Sequence, residues 1–554
     1  MTTATLAILN GHVWIDGNAP AATAVAVADE RIIAIGSDRQ ILSLTGPGTR
    51  TIDAAGGSVL PGFNDAHVHL EQSGGNLLGI DLRDARDEAE FSRRLSEYLR
   101  TQPKGCWICR GVWDHENWPS RRLPTRELLD AVSPDHPVFL ARLDGHVAVA
   151  NSLALTAAQV RKETPDPAGG KIGRAADGAP NGLFFDTALE LVRRAIPRPT
   201  EMERLEAIET GLRHASQRGL TSLQAMCSLS EYELLQRLAQ SGRLPVRIHA
   251  ILPVEALEVG LPTSAGQCGT AALGCAEAAR AAQPGAAVPH QQQTAEVLHT
   301  GAIKLFDDGS FGAATALLFE PYDDRPGSTG LAIYTQEQLD DLVRRIDAAG
   351  LQAAVHAIGD RGVDMALTAF GHTLAAGGRK NARHRIEHAQ MVRPADRARF
   401  AAAGLIASLQ PSHCIDDMRW IANRLGTRCD MAYPYRSLAA AGIPIALGTD
   451  WDVEPLDPML TLYAAVTRES TTDGPAGGWF GEEKVTLQQA LRDYTLGSAF
   501  AEFREGEEGT LEVGKLADIV ILSRNIFDVP PSELLSTRPR TTIMGGRVVF
   551  EAAG

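Results

Sequence analysis

The 554-residue chain is poor in cysteine, in basic residues relative to acidic ones, and in long apolar runs. Seven cysteines are few for this length and odd in number, which predicts reduced thiols in a cytoplasmic protein and no disulfide framework. No window approaches the roughly 18 uncharged apolar residues that a membrane span needs. Residues 1–5 carry no basic group before an apolar stretch, so we expect no secretory signal.

Acidic residues outnumber basic ones, 68 against 53, and the formal net charge is −15. An acidic surface repels phosphate backbones, so we do not expect nucleic acid as a partner. Apolar residues make up 44% of the chain, which is ample for a packed core and excludes intrinsic disorder. The composition therefore predicts a folded protein of several domains.

Short apolar segments at both chain ends predict strands. Asn10-Gly11 and Asp29-Glu30 each lie between two such segments, which predicts two hairpins. Similar segments recur near the C-terminus, at 517–522 and 541–550. Because a few short strands bury little surface alone, we predict one composite β-sandwich domain from residues 1–59 and 506–554.

The middle of the chain alternates apolar strand-like segments with amphipathic helical ones, which predicts an α/β protein. Eight strands interleaved with helices favour a (β/α)8 TIM barrel built from residues 60–74 and 201–505. Its predicted strands are 60–69, 219–226, 246–252, 302–306, 351–356, 385–388, 406–410 and 443–448.

Two segments do not fit a barrel. Residues 75–200 are far too long for a loop, and we interpret them as an inserted α+β subdomain. Residues 262–298 are rich in Ala, Gly and Gln with little periodicity. They are expected to form an irregular surface excursion, or alternatively a lid over the barrel mouth.

The strongest chemical motif is His67-Val68-His69 at the end of the first predicted barrel strand. Side chains at i and i+2 of a strand point to the same face, so both imidazoles would face the barrel interior. Two neutral imidazoles on one face suit zinc or a similar metal. A bare His-x-His occurs by chance as well, and its position at a strand end is what favours a site.

Titratable residues close four further predicted strands: Lys304, His356, His388 and Asp450. Each has an ordinary explanation by itself, such as a hydrogen-bonded core histidine or a helix cap. Catalytic groups of (β/α)8 barrels lie at the carboxyl ends of the strands. The joint occurrence at five strand ends therefore predicts a common site.

The chain resembles the amidohydrolase superfamily, in particular amidohydrolase family 3, the YtcJ-like group that includes N-substituted formamide deformylases. Its motifs cover most of the chain, including the predicted insertion and the C-terminal segment. They are Pro61-Gly62-Phe63-x-Asp65-x-His67-x-His69, Lys304-Leu305-Phe306-x-Asp308-Gly309-Ser310, His356-Ala357-Ile358-Gly359-Asp360, Arg385-Ile386-Glu387-His388-Ala389-Gln390, Gly448-Thr449-Asp450-Trp451 and Asp144-Gly145-His146.

The resemblance implies a metal-dependent hydrolase that cleaves a C–N bond, an amide of N-formyl or N-acyl type, with a metal-activated hydroxide. His67, His69 and Asp450 would bind one Zn2+ ion, and His356 and His388 a second. Lys304 would bridge the two as a carboxylated lysine, and a single metal stays open. Asp450 would act as general base and then general acid.

The same resemblance implies a small-molecule substrate, and a homodimer is left open. Residues expected to line the substrate pocket are Trp113, Asp144, His146, Asp308, Arg361 and His413. The chain departs from the family pattern at Ala314, where an arginine is usual, and at Asp452, where a proline is common. These departures lie near the predicted barrel mouth and suggest an altered substrate range.

Two alternatives accompany this interpretation. The first is a mononuclear zinc aminohydrolase that deaminates a heterocycle. Such enzymes commonly carry His-x-x-Glu at the fifth strand, whereas His356 is followed by Ala357, Ile358 and Gly359. The second is a binding protein that retains the metal but has lost turnover, for which the missing arginine is the only support.

Overall fold

The computed structural model describes residues 2–17, 22–143, 145–167, 169–259, 297–472 and 474–553. The predicted excursion at 262–298 lies outside the described residues apart from its last two positions. The chain divides into two compact units, one made of Met1–His69 with Leu212–Gly554 and the other of Leu70–Gly211.

The strands, in chain order, are β1 Leu6–Leu9, β2 His12–Val13, β3 Ala24–Ala28, β4 Arg31–Gly36, β5 Arg50–Asp53, β6 Ser58–Pro61, β7 Phe63–Val68, β8 Val112–Trp113, β9 Phe139–Arg142, β10 Val147–Ala150, β11 Gly170–Arg174, β12 Pro180–Asp186, β13 Leu220–Met226, β14 Arg247–Pro253, β15 Leu298–Phe306, β16 Gln352–Ala357, β17 Arg385–His388, β18 Ile406–Leu409, β19 Ile445–Leu447, β20 Ile519–Leu522, β21 Pro539–Met544 and β22 Arg547–Glu551.

The α-helices span Asp38–Leu42, Leu70–Leu77, Glu88–Leu99, Arg126–Asp130, Ser152–Ala157, Glu190–Arg193, Glu201–Gln217, Leu229–Gln240, Ala256–Val259, Gln336–Ala348, Asp360–Ala375, Pro394–Ala402, Pro411–Asp417, Ile421–Leu425, Tyr435–Ala440, Pro458–Thr467, Leu487–Arg492 and Ser498–Ala501. None of the helices in the described part of the chain is long and apolar enough to cross a membrane.

Eight parallel strands form the predicted barrel, in the order β7-β13-β14-β15-β16-β17-β18-β19. A parallel bridge between Val68 and Trp451 brings the first and last strands together. The strands are almost wholly buried, as parallel strands covered on both faces require. Some of the connecting helices start at polar caps, for example at Thr335, whose side chain accepts from the Gln338 N–H. The barrel prediction is confirmed.

Strands from both chain ends form two sheets beside each other, β4-β3-β1-β5 and β2-β6-β20-β21-β22. β6 pairs antiparallel with β20, so the two ends of the chain are joined directly. Ile8 and Val25 from one sheet share an apolar core with Val59, Ile519 and Ile543 from the other. The sandwich character of this region follows from that shared core.

Two local predictions are wrong. Residues 60–69 do not form one strand, because β6 belongs to the terminal sheet and β7 to the barrel, and Gly62 between them donates its N–H to the Asp518 carbonyl. The hairpin around Asn10-Gly11 does not form either, because β1 and β2 pair with strands of different sheets. The hairpin around Asp29-Glu30 is confirmed, since β3 and β4 are antiparallel neighbours.

The unit Leu70–Gly211 has its own five-stranded sheet, in the order β11-β12-β10-β9-β8. One apolar cluster of this unit includes Phe91, Leu95, Trp113 and Trp118. A second apolar cluster of the same unit includes Phe139 and Phe184. The unit therefore has enough buried apolar surface to be compact by itself.

Candidate metal centre

The barrel places the predicted ligand residues at the carboxyl ends of its strands. His67, Lys304, His356 and His388 lie in the last residues of β7, β15, β16 and β17. His69 and Asp450 follow β7 and β19. His388 and Asp450 both have left-handed backbone, with φ of 71° and 54°. Such backbone is unfavourable for these residue types and is concentrated at functional sites, where the surrounding structure imposes it.

These side chains converge around the Asp450 carboxylate. Oδ1 of Asp450 lies 3.4 Å from Nε2 of His67 and 3.2 Å from Nε2 of His69. The Lys304 ammonium nitrogen is 3.4 Å from the same His67 Nε2. On the other side, Oδ2 of Asp450 is 3.8 Å from Nδ1 of His388. Nitrogen and oxygen donors in this number and spacing suit a divalent transition metal.

Burial sets the protonation state of these groups. It lowers the pKa of His67 to about 4, with Lys304 acting in the same direction, so the imidazole is neutral. It also lowers the pKa of Lys304 to about 8, although Glu387 and Asp450 oppose this. Burial alone would raise the pKa of Asp450, but the surrounding histidines outweigh it and hold the pKa well below its ordinary value. Neutral imidazoles and an ionised carboxylate are the forms that bind metals.

Buried polar partners orient two of the imidazoles. Nδ1 of His67 lies 2.7 Å from Oε2 of Glu387, and Nδ1 of His388 lies 2.8 Å from Oε1 of Gln410. Both oxygens are acceptors, so each Nδ1 carries the proton and the Nε2 lone pair is left for a ligand. Such partners fix the tautomer and ring orientation of metal-binding histidines. Sequence reasoning missed Glu387 and Gln410, although Glu387 stands directly before His388 in the chain.

Asp65, also missed, holds the first and last strand ends together. Its Oδ1 accepts from the backbone N–H groups of His67 and Thr449, and its Oδ2 accepts from the Tyr494 hydroxyl. The backbone of Gly448 lies so close to these groups that a Cβ added to it would be 2.7 Å from Asp65 Oδ1 and 2.7 Å from the backbone nitrogen of His67. Asp65 thereby sets the spacing between His67 and Asp450. Its place two residues before His67 was the available signal.

His356 and Asp308 lie together at one side of the cluster. The His356 ring is 4.6 Å from that of His388, and its Nε2 lies 3.1 Å from the Gly309 carbonyl and 3.4 Å from Asp308. The Asp308 carboxylate accepts from the backbone N–H groups of Leu317, Ile358 and Gly359. Asp308 thus ties the loop after β15 to the end of β16. The roles of His356 as a metal ligand and Asp308 as a substrate contact stay predictions.

His413 lies on the opposite side, with Nε2 3.9 Å from Oδ2 of Asp450 and its ring stacked at 6.1 Å on that of His388. Its Nδ1 is 2.9 Å from the Gln390 amide nitrogen. A narrow cavity adjoins this region. Its lining is mostly apolar and includes Leu409, Pro411, Tyr433, Ala464 and Arg468. The predicted pocket residue His413 therefore lies beside His388 and Asp450, two of the candidate metal ligands.

The contacts of three of the remaining predicted pocket residues are defined within their own units. Arg361 is exposed and lines a surface depression with Phe319 and Tyr334. Trp113 belongs to the core of the Leu70–Gly211 unit, where its indole donates to the Leu140 carbonyl. His146 of the same unit contacts Asp186, with Nδ1 3.0 Å from Oδ1. Asp144 is not among the described residues, and all four assignments stay predictions.

A (β/α)8 barrel with histidines, a lysine and an aspartate gathered at the carboxyl ends of its strands is the arrangement of a barrel hydrolase. The chain belongs to the amidohydrolase family, whose model matches residues 50–550. The protein is therefore a hydrolase of this family, as the sequence motifs predicted.

Three similar proteins illustrate the relationship. The putative amidohydrolase YtcJ of Bacillus subtilis is 31% identical, over 95% of this chain and 96% of its own. The N-substituted formamide deformylase of Arthrobacter pascens is 27% identical, over 99% of both chains. The crystal structure of an uncharacterized metal-dependent hydrolase from Pyrococcus furiosus is 28% identical with a TM-score of 0.70, and the match covers 95% of this chain and 99% of that one.

Proposed function

We propose that the protein hydrolyses an amide C–N bond of a small molecule, an N-formyl or N-acyl amine, at a zinc centre held by the residues around Asp450. One observation carries the proposal: contacts of 3.2 to 3.4 Å link the side chains of four residues at the carboxyl ends of the strands. These residues are His67, His69, Lys304 and Asp450. The likeness to a protein named N-substituted formamide deformylase supports the amide class.

The residues present fit a metal. One ligand atom from each of His67, His69 and Asp450 lies within 4.8 Å of the other two, and Glu387 leaves the Nε2 lone pair of His67 free, 3.4 Å from Asp450 Oδ1. The lowered pKa of Lys304, about 8, increases the fraction of neutral amine near neutral pH, and the neutral amine can capture carbon dioxide and form a carbamate ligand. His388 and His356 would extend the site to a second ion. A bound ion would lower the pKa of water and polarise the substrate carbonyl.

Asp450 performs the proton transfer in this scheme. Its Oδ1 faces His67 and His69, so the Oδ2 atom on the His388 side is the one available to move a proton. The carboxylate accepts a proton from the attacking water as the C–O bond forms, and it returns that proton to the nitrogen as the C–N bond breaks. Water and amide thus become a carboxylic acid, formic acid for a formamide, and a free amine.

The test is a substrate screen on protein purified without chelator, with metal content measured on the same sample. N-substituted formamides and N-acyl amines should release formate or carboxylate together with amine. The activity should disappear after metal removal and return when Zn2+ is restored. The Asp450→Asn variant in the same preparation should be inactive, which excludes a contaminant. Absence of any bound divalent metal would refute the proposal, and ammonia release from heterocycles would instead favour the deaminase alternative.

A further inference from the structure

A second cluster of metal-binding residues lies at the amino-terminal ends of the same strands. His249 in β14 and His299 in β15 are register partners, so their side chains lie on one face of the sheet. Their rings are 4.7 Å apart. Glu502, just after the helix Ser498–Ala501, brings Oε2 to 3.1 Å from Nε2 of His299. One donor atom from each of the three residues lies within 4.8 Å of the others.

The polar atoms of this cluster are buried without hydrogen bonds. Among the described residues, no partner exists for either ring nitrogen of His249, either ring nitrogen of His299, or Oε2 of Glu502. The 3.1 Å contact between His299 and Glu502 does not have hydrogen-bond geometry. His249 is 3% exposed and Glu502 is 1% exposed. Each unsatisfied buried polar group costs about 1–3 kcal/mol. Because one such atom from each of the three residues lies near the other two, an ion bound between them would satisfy three of the five atoms.

The neighbouring cations do not neutralise Glu502. Arg247 has its ion pair with Asp518 at 2.7 Å, Arg504 with Glu508 at 3.0 Å, and Arg385 with Glu387 at 2.8 Å. The other carboxylate oxygen, Oε1, accepts from the neutral groups of Asn64 and Ser222. In the described part of the chain, no lysine or arginine forms an ion pair with Glu502, although Arg504 and Arg385 lower the pKa of its carboxyl group from a distance.

The protonation states agree with a cation site. Burial lowers the pKa of His299 to about 3 and that of His249 well below its ordinary value, with Arg504 adding to both effects. Both imidazoles are therefore neutral and offer lone pairs. Burial raises the pKa of Glu502 to about 7, the response of a carboxylate without a contact cation.

We propose that His249, His299 and Glu502 bind a divalent transition-metal ion, for which two imidazoles and a carboxylate suit Zn2+, as a structural site separate from the candidate catalytic centre. His299 and Lys304 are five residues apart on one strand, or about 16 Å at 3.3 Å per residue. The ion would link β14 and β15 to the chain segment after the helix Ser498–Ala501. Residues at the amino-terminal face of a TIM barrel serve stability.

The test counts metal in the full-length protein with the candidate catalytic centre disabled. The His67→Asn/His69→Asn variant, stripped with chelator and reloaded with Zn2+, should still hold after gel filtration the one equivalent proposed at His249, His299 and Glu502. Adding His249→Gln should remove that equivalent. The control adds His384→Gln, another buried barrel histidine whose ring contacts Asp347 and the Ala353 N–H, and it should keep the metal. Equal metal content with and without His249→Gln would overturn the proposal.

A measurement on the wild-type protein covers the case in which the variants misfold. Crystals grown with Zn2+ should show an anomalous difference peak between His249, His299 and Glu502 at the zinc edge. The midpoint of thermal unfolding of chelated protein should rise when Zn2+ is returned, and the rise should persist in His67→Asn/His69→Asn. Zinc-loaded crystals with no peak at these three residues would overturn the proposal. Neither result depends on turnover.

Discussion

The barrel carries histidines at both ends of its strands, and the two groups differ in how their side chains are held. At the carboxyl end, Glu387 and Gln410 accept from Nδ1 of His67 and of His388, which leaves Nε2 of each ring free for a ligand, and Nε2 of His67 lies 3.4 Å from Asp450. At the amino end, His249 and His299 have no such partners among the described residues. The carboxyl-end histidines therefore have the fixed tautomers typical of metal ligands, whereas the amino-end histidines offer donor atoms whose tautomers no buried acceptor fixes.

The largest expected effect is a loss of turnover when the carboxyl-end group is altered. Asp450→Asn should lower kcat by about 10²- to 10⁴-fold, because the amide cannot accept the proton from water. The ion proposed at His249 should stay bound. The measurement is steady-state kinetics with metal analysis, and Asp430→Asn, an exposed aspartate, is the matched control. If the Asp450→Asn variant keeps its turnover, the carboxyl-end group is not the one that carries out the reaction.

A second prediction concerns the acceptors themselves. Glu387→Gln keeps the shape but weakens the acceptor at Nδ1 of His67, and it should reduce the metal affinity of the carboxyl-end centre by about 10- to 100-fold. Competition with a chromophoric chelator measures this affinity. Glu505→Gln, at a half-exposed ion pair with Arg383, should leave it unchanged. Unchanged affinity in Glu387→Gln would mean that orientation does not distinguish the two groups.

A third prediction tests how tightly the carboxyl-end strands are packed. Gly448→Ala puts a methyl group 2.7 Å from Asp65 Oδ1 and from the His67 nitrogen, so it should lower the free energy of unfolding by about 1–3 kcal/mol. Gly371→Ala is the control, because its Cβ would meet nothing within 4 Å inside the helix Asp360–Ala375. It should be neutral or stabilising by about 0.5–1 kcal/mol. Denaturant unfolding of both variants measures the difference, and equal losses would contradict the packing argument.

The smallest expected effect is a pH dependence of the free energy of unfolding, which arises from Lys304 in the carboxyl-end group. Burial lowers the pKa of Lys304 from its ordinary 10.5 to about 8, so between these values the unfolded chain binds more protons than the folded one. The free energy of unfolding of metal-free protein should therefore rise with pH across this interval. Lys304→Met should flatten that rise, as measured by denaturant unfolding from pH 7.5 to 10. An unchanged slope would show that Lys304 is not the group responsible.

The ligand set at the carboxyl end could be predicted from the chain alone, because each of its members closes an apolar strand-like segment. His67 and His69 stand out by their i, i+2 spacing, and Lys304 and Asp450 by their position after such segments. The boundary at Gly62 could not be predicted. The break between β6 and β7 depends on the pairing of β6 with β20, more than 450 residues away.

Local sequence by itself determined the alternation of strands and helices, the barrel, and the residue types at its strand ends, since these depend on periodicities of two and 3.6 residues. Only the tertiary structure decided which polar groups meet. Glu387 contacts His67, which is 320 residues away in the chain. His249 and His299 meet because parallel register aligns β14 and β15, and Glu502 joins them from the chain segment after the helix Ser498–Ala501. No spacing along the chain encodes such contacts, because register and chain closure arise when the strands assemble.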